Sequence, residues 1–216
     1  MIIKDKRVVV TGAASGIGKA LAVAFKEAEA QSVVAVDINL EGAEETAKDI
    51  NGISIKANVG QESDILNVIE KANELSGGID IFCSNAGIGG VHGFFDAKNE
   101  DWQNIWEVNV MSHIYAARNV LPQMLERGEG YLMSTASAAG LLTQIGSAGY
   151  SVTKAAAVSF AEWIKITYGN QSDYATPVSL GMVDRKKNAS LYWDYMVSFC
   201  QFGGYANFKV TTENYK

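Results

Sequence analysis

Tyr150 and Lys154 stand four residues apart in Tyr150-Ser151-Val152-Thr153-Lys154, a spacing that can do acid–base chemistry. Residues four apart on a helix share one face, a single turn apart. A phenol titrates near ~10 and is a poor base at neutral pH, but a neighbouring ammonium favours the phenolate. Lowering a phenol by about three units takes roughly 4 kcal/mol of differential stabilisation. A lysine and a bound cationic ring can supply that together. The pair therefore suits proton transfer to or from an oxygen. Alone it is weak evidence, because a surface tyrosine packed on a lysine stem has the same spacing.

A second set of residues suits phosphate. Thr11-Gly12-Ala13-Ala14-Ser15-Gly16-Ile17-Gly18 follows the apolar run Val8-Val9-Val10 and precedes a helical pattern. Glycines at 12, 16 and 18 allow a tight turn and close approach of the backbone to a pyrophosphate. The helix N-terminus behind them offers unpaired N–H groups and partial positive charge. The alternative is a plain tight turn. Asp37 ends the next apolar run, 19 residues past Gly18. A carboxylate there accepts hydrogen bonds from ribose hydroxyls and repels a 2′-phosphate. Neither the glycine turn nor positions 38–39 hold an Arg or Lys to receive that phosphate. These residues point to NAD rather than NADP. The alternative for Asp37 is a cap on the following helix.

The elements that must position these groups alternate. Strands are expected at 7–11, 33–37, 53–55, 79–83 and 130–135, with a sixth at 178–180 beside Pro177. Helices are expected at about 16–28, 41–50, 65–75, 100–126 and 148–168. Continuous apolar strands alternating with helices mean an α/β fold, a doubly wound parallel sheet covered on both faces. The 216 residues suit a single domain spanning 1–216. With 18 basic and 24 acidic side chains the net charge is −6, which argues against a nucleic-acid partner. No apolar run reaches the ~18–20 residues of a membrane span, so no membrane partner is expected. Met1-Ile2-Ile3-Lys4-Asp5 has no signal-peptide core. Two cysteines, Cys83 and Cys200, are too few for a disulfide framework, and a cytoplasmic location is expected. His92 and His113 lie outside any metal-ligand spacing, so no metal is expected. His113 reads as a helix packing residue and Cys83 as a small buried apolar one.

From about Lys6 to Gly169 the chain resembles the classical short-chain dehydrogenase/reductase family. The resemblance rests on the glycine turn, Ser84-Asn85-Ala86-Gly87, Val108-Asn109-Val110, Ser134-Thr135-Ala136-Ser137-Ala138-Ala139-Gly140 and the Tyr150–Lys154 segment, in that order. It implies a Rossmann-like fold and NAD(H)-dependent interconversion of a secondary alcohol and a ketone. Tyr150 would be the acid/base. Lys154 would bind the nicotinamide ribose and favour the phenolate. Ser137, 13 residues before Tyr150, would hold the substrate oxygen, with Ser134 its structural neighbour. Asn109, mid-helix, would hold a relay water near the lysine. Gly12, Ser15, Gly16, Ile17, Gly18, Asp37, Asn85, Ala86 and Gly87 would line the cofactor. Asn58-Val59 stands where the family has Asp-Val beside the adenine, and an amide oxygen can still accept from the adenine amino group. His92 follows Asn85-Ala86-Gly87 and either borders the substrate pocket or has no role.

Beyond Gly169 the resemblance fades. Leu180-Gly181 and Arg185 replace the family's Pro-Gly and threonine, though backbone contacts through Gly181 and Val183 could survive. No glycine-rich seventh strand is legible, so six strands are expected, with the sixth as an edge that tolerates Pro177 and is kept soluble by Asp173. Residues 185–216 read as an atypical tail, with eight aromatics between Tyr192 and Tyr215. That tail would cover the cleft, pack on the edge or join a partner. A homodimer or homotetramer through the long helices is expected. The alternative is a dinucleotide-binding pseudoenzyme, or a truncated variant, acting as a binding or sensor protein.

Overall fold

The computed structural model describes residues 2–91 and 93–168, together with the backbone of the strand 175–178. Met1, His92, Asp173, Gly181, Val183, Arg185, Cys200 and the aromatic tail lie outside the described residues.

Six parallel strands alternate with helices: β1 (Arg7–Thr11), β2 (Ser32–Asp37), β3 (Ile53–Lys56), β4 (Ile81–Ser84), β5 (Tyr131–Thr135) and β6 (Ala175–Val178). The sheet order is β3-β2-β1-β4-β5-β6. Strands β1 to β5 carry the described side chains, and β6 adds backbone pairing alongside β5. Two strand positions differ from the sequence reading. β6 lies at 175–178 rather than 178–180, and puts Pro177 in register with Ser134. Being last in the order, β6 needs no donors on its outer side among the described residues, which is where a proline fits. β4 begins at Ile81 rather than Ile79, although the Asp80 backbone is already bonded on both sides: its N–H donates to the Arg7 carbonyl at 2.9 Å and its carbonyl accepts from the Tyr131 N–H at 2.8 Å. The Asp80 carboxylate takes the Arg7 backbone N–H at 2.9 Å and the guanidinium at 2.7 and 2.6 Å.

Alternate strand residues face opposite layers, as the period of two demands. Val9, Phe82 and Leu132 pack with the helices α3 (Glu62–Ser76), α5 (Ser112–Arg127) and α6 (Ala148–Tyr168). Val8, Val10, Ile81, Cys83 and Met133 pack with α1 (Gly16–Glu27) and α2 (Leu40–Ile50). Each fully buried Val, Leu or Phe contributes about 1.5–3 kcal/mol. This is the doubly wound α/β sandwich expected. Between β1 and β4 the strand order reverses direction, leaving a crevice outside their carboxyl ends.

One expected helix is compound. The 100–126 stretch consists of α4 (Asn99–Trp106), a π-turn Glu107–Met111 and α5. Asn109 sits in the π-turn. Such insertions gather at functional sites.

Candidate active site

The phosphate-type turn forms as its glycines require. Gly12 (φ +69°) and Gly16 (φ +54°) take left-handed backbone that favours glycine. A Cβ on Gly18 would collide with the Gly12 carbonyl and lie 2.7 Å from the Asn85 amide nitrogen. Ser15 is the N-cap of α1, is exposed and makes no side-chain capping bond. The first turn of α1 holds no acidic residue. This end of the helix thus keeps the donors and positive potential that suit an anion. Ile17 is half-buried against the α1–α2 layer.

Asp37 lies at the end of β2 beside this turn. Its carboxylate accepts from the Ala14 N–H at 3.0 Å and the Asn39 N–H at 2.9 Å. It therefore ties the glycine turn to the start of α2, while Asn39 itself caps α2 through the Gly42 N–H at 3.3 Å. A carboxylate has about four acceptor positions, so two such bonds leave capacity for a ligand's hydroxyls. The Asn58 oxygen accepts from the Gly60 N–H at 3.1 Å, and the Asn58 N–H donates to Asp64 at 2.8 Å. Val59 packs into the core with only 7% of its surface exposed.

The ends of β1, β4 and β5 are stitched by one polar network. Thr11 Oγ1 donates to the Cys83 carbonyl at 3.2 Å and accepts from the Asn85 and Ala86 N–H groups at 3.0 and 3.1 Å. Asn85 Nδ2 donates to the Thr11 carbonyl at 2.9 Å, and Thr135 Oγ1 donates to Asn85 Oδ1 at 3.0 Å. Asn85 is thus a structural tie with Ala86 and Gly87 following it into the crevice. The same Thr135 offers its carbonyl to Lys154 Nζ at 2.8 Å.

Lys154 is 3% exposed, and burial lowers its ammonium to about 8. Its Nζ lies 5.7 Å from the centroid of the Tyr150 ring. Tyr150 is half-buried, and its hydroxyl has no hydrogen-bond partner among the described residues. A Cβ on Gly87 would approach Lys154 Nζ to 3.4 Å and Asn109 Oδ1 to 3.3 Å, so Gly87 passes between them. Asn109 is fully buried. It accepts from the Ile88 N–H at 2.8 Å and donates to the Ile88 carbonyl at 2.8 Å and to Thr153 Oγ1 at 3.1 Å. The π-turn therefore holds the loop after β4 against the helix that carries the lysine.

Ser137 caps the short 3-10 turn Ala138–Gly140, accepting from the Ala139 N–H at 3.2 Å. An accepting hydroxyl still has its proton to donate. A Cβ on Gly140 would stand 2.6 Å from the Lys154 carbonyl, so the Ser137 segment rests directly on the α6 backbone. Ser134 instead pairs with His113 Nδ1 at 3.1 Å. Burial, with the Lys154 charge adding to it, pushes His113 down to about 3, and its Nε2 has no partner among the described residues. It faces a small polar-edged cavity between β4, β5, α5 and α6. Burial likewise pushes the Cys83 thiol up.

The structure brings Tyr150, Lys154, Asn109 and Gly87 together and sets the Ser137 segment on α6. Thr135, Thr153, Ile88 and Gly140 complete the arrangement and were not singled out from sequence. Backbone acceptors and close backbone contacts leave no residue-type signal. Among the described residues no helix is long and apolar enough to cross a membrane, and no cluster of three or more His, Cys, Asp or Glu could hold a metal.

Residues 6–192 match the family model described as short chain dehydrogenase. An uncharacterized oxidoreductase of Bacillus subtilis, YvrD, is 35% identical over 74% of this chain and 61% of its own length. The chain thus spans about three fifths of that relative. An uncharacterized oxidoreductase of Staphylococcus aureus (strain USA300) is 32% identical over 85% of this chain and 80% of its own. Among solved structures, the 3-ketoacyl-(acyl-carrier-protein) reductase of Brucella melitensis complexed with NADH superposes with a TM-score of 0.79. It is 27% identical, covering 83% of this chain and 76% of that one. The chain belongs to the short-chain dehydrogenase family, a family of oxidoreductases.

Proposed function

We propose that this short-chain dehydrogenase interconverts a secondary alcohol and a ketone with NAD(H). The observation that carries this reading is the buried Lys154 ammonium, anchored by the Thr135 carbonyl at 2.8 Å and 5.7 Å from the Tyr150 ring centroid. A lysine is seldom so buried without a task.

A nicotinamide dinucleotide fits the donor set of the crevice. The cradle between Gly12, Gly18 and Asn85 has no room for a Cβ, which matches close approach by a pyrophosphate. Ser15, Gly16, Ile17 and Gly18 would present the first turn of α1 to the phosphates. Asp37 would take the adenosine ribose hydroxyls, favouring NAD over NADP. Asn58 and Val59 would border the adenine, and Asn85, Ala86 and Gly87 the nicotinamide side, with backbone contacts proposed through Gly181 and Val183. When bound, the dinucleotide supplies the hydride acceptor or donor.

The chain's own residues manage the proton. Tyr150 takes the hydroxyl proton in oxidation and returns it in reduction. Ser137 donates to the substrate oxygen and stabilises negative charge developing there. Asn109 keeps Ile88, Thr153 and the neighbouring Lys154 in register. Exposed Val152, Trp163 and Ile166 on α6, and Trp106 at the end of α4, support a homodimer or homotetramer built on the long helices. A small-molecule partner and a cytoplasmic location accompany this reading.

The test is Tyr150→Phe. Turnover of any accepted alcohol is expected to fall by roughly 10²–10⁴. NADH binding should stay within about a factor of three. Full turnover by the variant would remove Tyr150 from its role.

A further inference from the structure

Two loops meet beside the start of α6. Gly93 bridges to Ser147 in parallel register, and its N–H reaches the Gly146 carbonyl at 3.4 Å. Val91 packs 2.8 Å from where a Cβ on Gly149 would stand. Both ties fall within four residues of Tyr150. The side chains around them are apolar and turned outward: Phe94 is 66% exposed, Phe95 95%, Leu141 63%, Leu142 45% and Ile145 99%. The Phe94 and Phe95 rings meet edge to face, with centroids 5.4 Å apart. No Lys, Arg, Asp or Glu occurs at positions 86–95 or 138–149.

Clustered apolar exposure of this kind marks a binding surface, and here it is continuous with the Ser137 and Tyr150 segments. Resting on the reading of Tyr150 as acid/base, we infer that these two loops seat the larger substituent of the substrate. The substrate is an uncharged ketone or secondary alcohol with an apolar substituent. A carboxylate or phosphate on that substituent would lose its water against two loops that carry no Lys or Arg. Each methylene buried there strengthens binding about fourfold. The gain is made in ground and transition states alike, so it appears in KM more than in kcat.

The test uses the full chain with NADH, the methyl ketones 2-butanone, 2-hexanone and 2-octanone, and the 2-oxo acids of matching length. Among the ketones, kcat/KM is expected to rise about fourfold per methylene, mostly through KM. Each 2-oxo acid is expected to be poorer than its ketone by more than about tenfold. Ile145→Lys lies at a fully exposed position, so the fold tolerates it. It is expected to weaken the long ketones and improve the oxo acids. Preference for the oxo acids overturns the inference while leaving the oxidoreductase reading in place. So does selectivity unchanged by Ile145→Lys, or NADH binding with no ketone reduced. Self-association lost in Ile145→Lys would assign the surface to a second copy and also overturn it. A folded chain that binds no NADH overturns both readings.

Discussion

At the scale of single residues, the site depends on charge held where water is scarce. Lys154 is buried, hydrogen-bonded to one carbonyl and set against the Tyr150 ring. Lys154→Met keeps much of the stem but removes the ammonium. Turnover is expected to drop by about two orders of magnitude or more. Retained turnover at neutral pH would show that the charge is dispensable. Asp37 makes a different claim. Its carboxylate faces the proposed adenosine end and would repel a 2′-phosphate by a few kcal/mol at most, since a pair of charges ~4 Å apart interacts at about 4 kcal/mol near a protein surface. Asp37→Ser leaves a hydroxyl for the Ala14 or Asn39 N–H and removes the charge. The NADH preference is expected to shrink by about tenfold or more. An unchanged NADH-to-NADPH affinity ratio would take discrimination away from Asp37. Both residues were legible in the sequence because their signals are local. A Tyr-x-x-x-Lys spacing and an acid closing the second strand need no long-range knowledge. Thr135 was not legible in this role, because it holds the lysine through a backbone carbonyl from another strand.

At the scale of elements, the strands and helices could be read from apolar periodicity, and their boundaries could not always. β4 starts two residues late, at Ile81, although the Asp80 backbone already pairs with Arg7 and Tyr131 while its carboxylate also holds Arg7. Burial pushes the Asp80 carboxyl up, but the Arg7 hydrogen bonds and charge outweigh it and hold it below the usual carboxylate range. The π-turn around Asn109 has no sequence sign, since one extra residue in a helix leaves composition unchanged. β6 slid to 175–178 because strand placement answers to the register of β5. His113, read as a packing residue, is indeed buried between layers, and its titration sets a measurable slope. An unfolded histidine protonates near ~6.5. In the fold the proton is refused until about 3. Between those values the unfolded state binds the extra proton, so stability falls as pH falls. His113→Phe is expected to lose less stability than the parent between pH 7 and pH 4.5, by about 2 kcal/mol. Urea unfolding at the two pH values checks this, and equal losses would show that His113 titrates normally.

At the scale of the whole molecule, two layers of helices on a parallel sheet leave one crevice at the reversal between β1 and β4. The glycine turn, Asp37, the Thr11–Asn85–Thr135 network and the Tyr150–Lys154 pair all border it. Sequence carried the fold and the order of these motifs, because each is a local turn chemistry attached to an expected element. It did not carry the cross-links among them, which exist only once the strands are paired. The central claim is that these parts together form a dinucleotide site selective for NAD. The measurement that tests it most directly is a fluorescence titration of the purified chain with NADH and, separately, with NADPH. Saturable binding of NADH is expected, with NADPH weaker by about tenfold or more. No saturable binding of either by a folded chain, or tighter binding of NADPH, would contradict it.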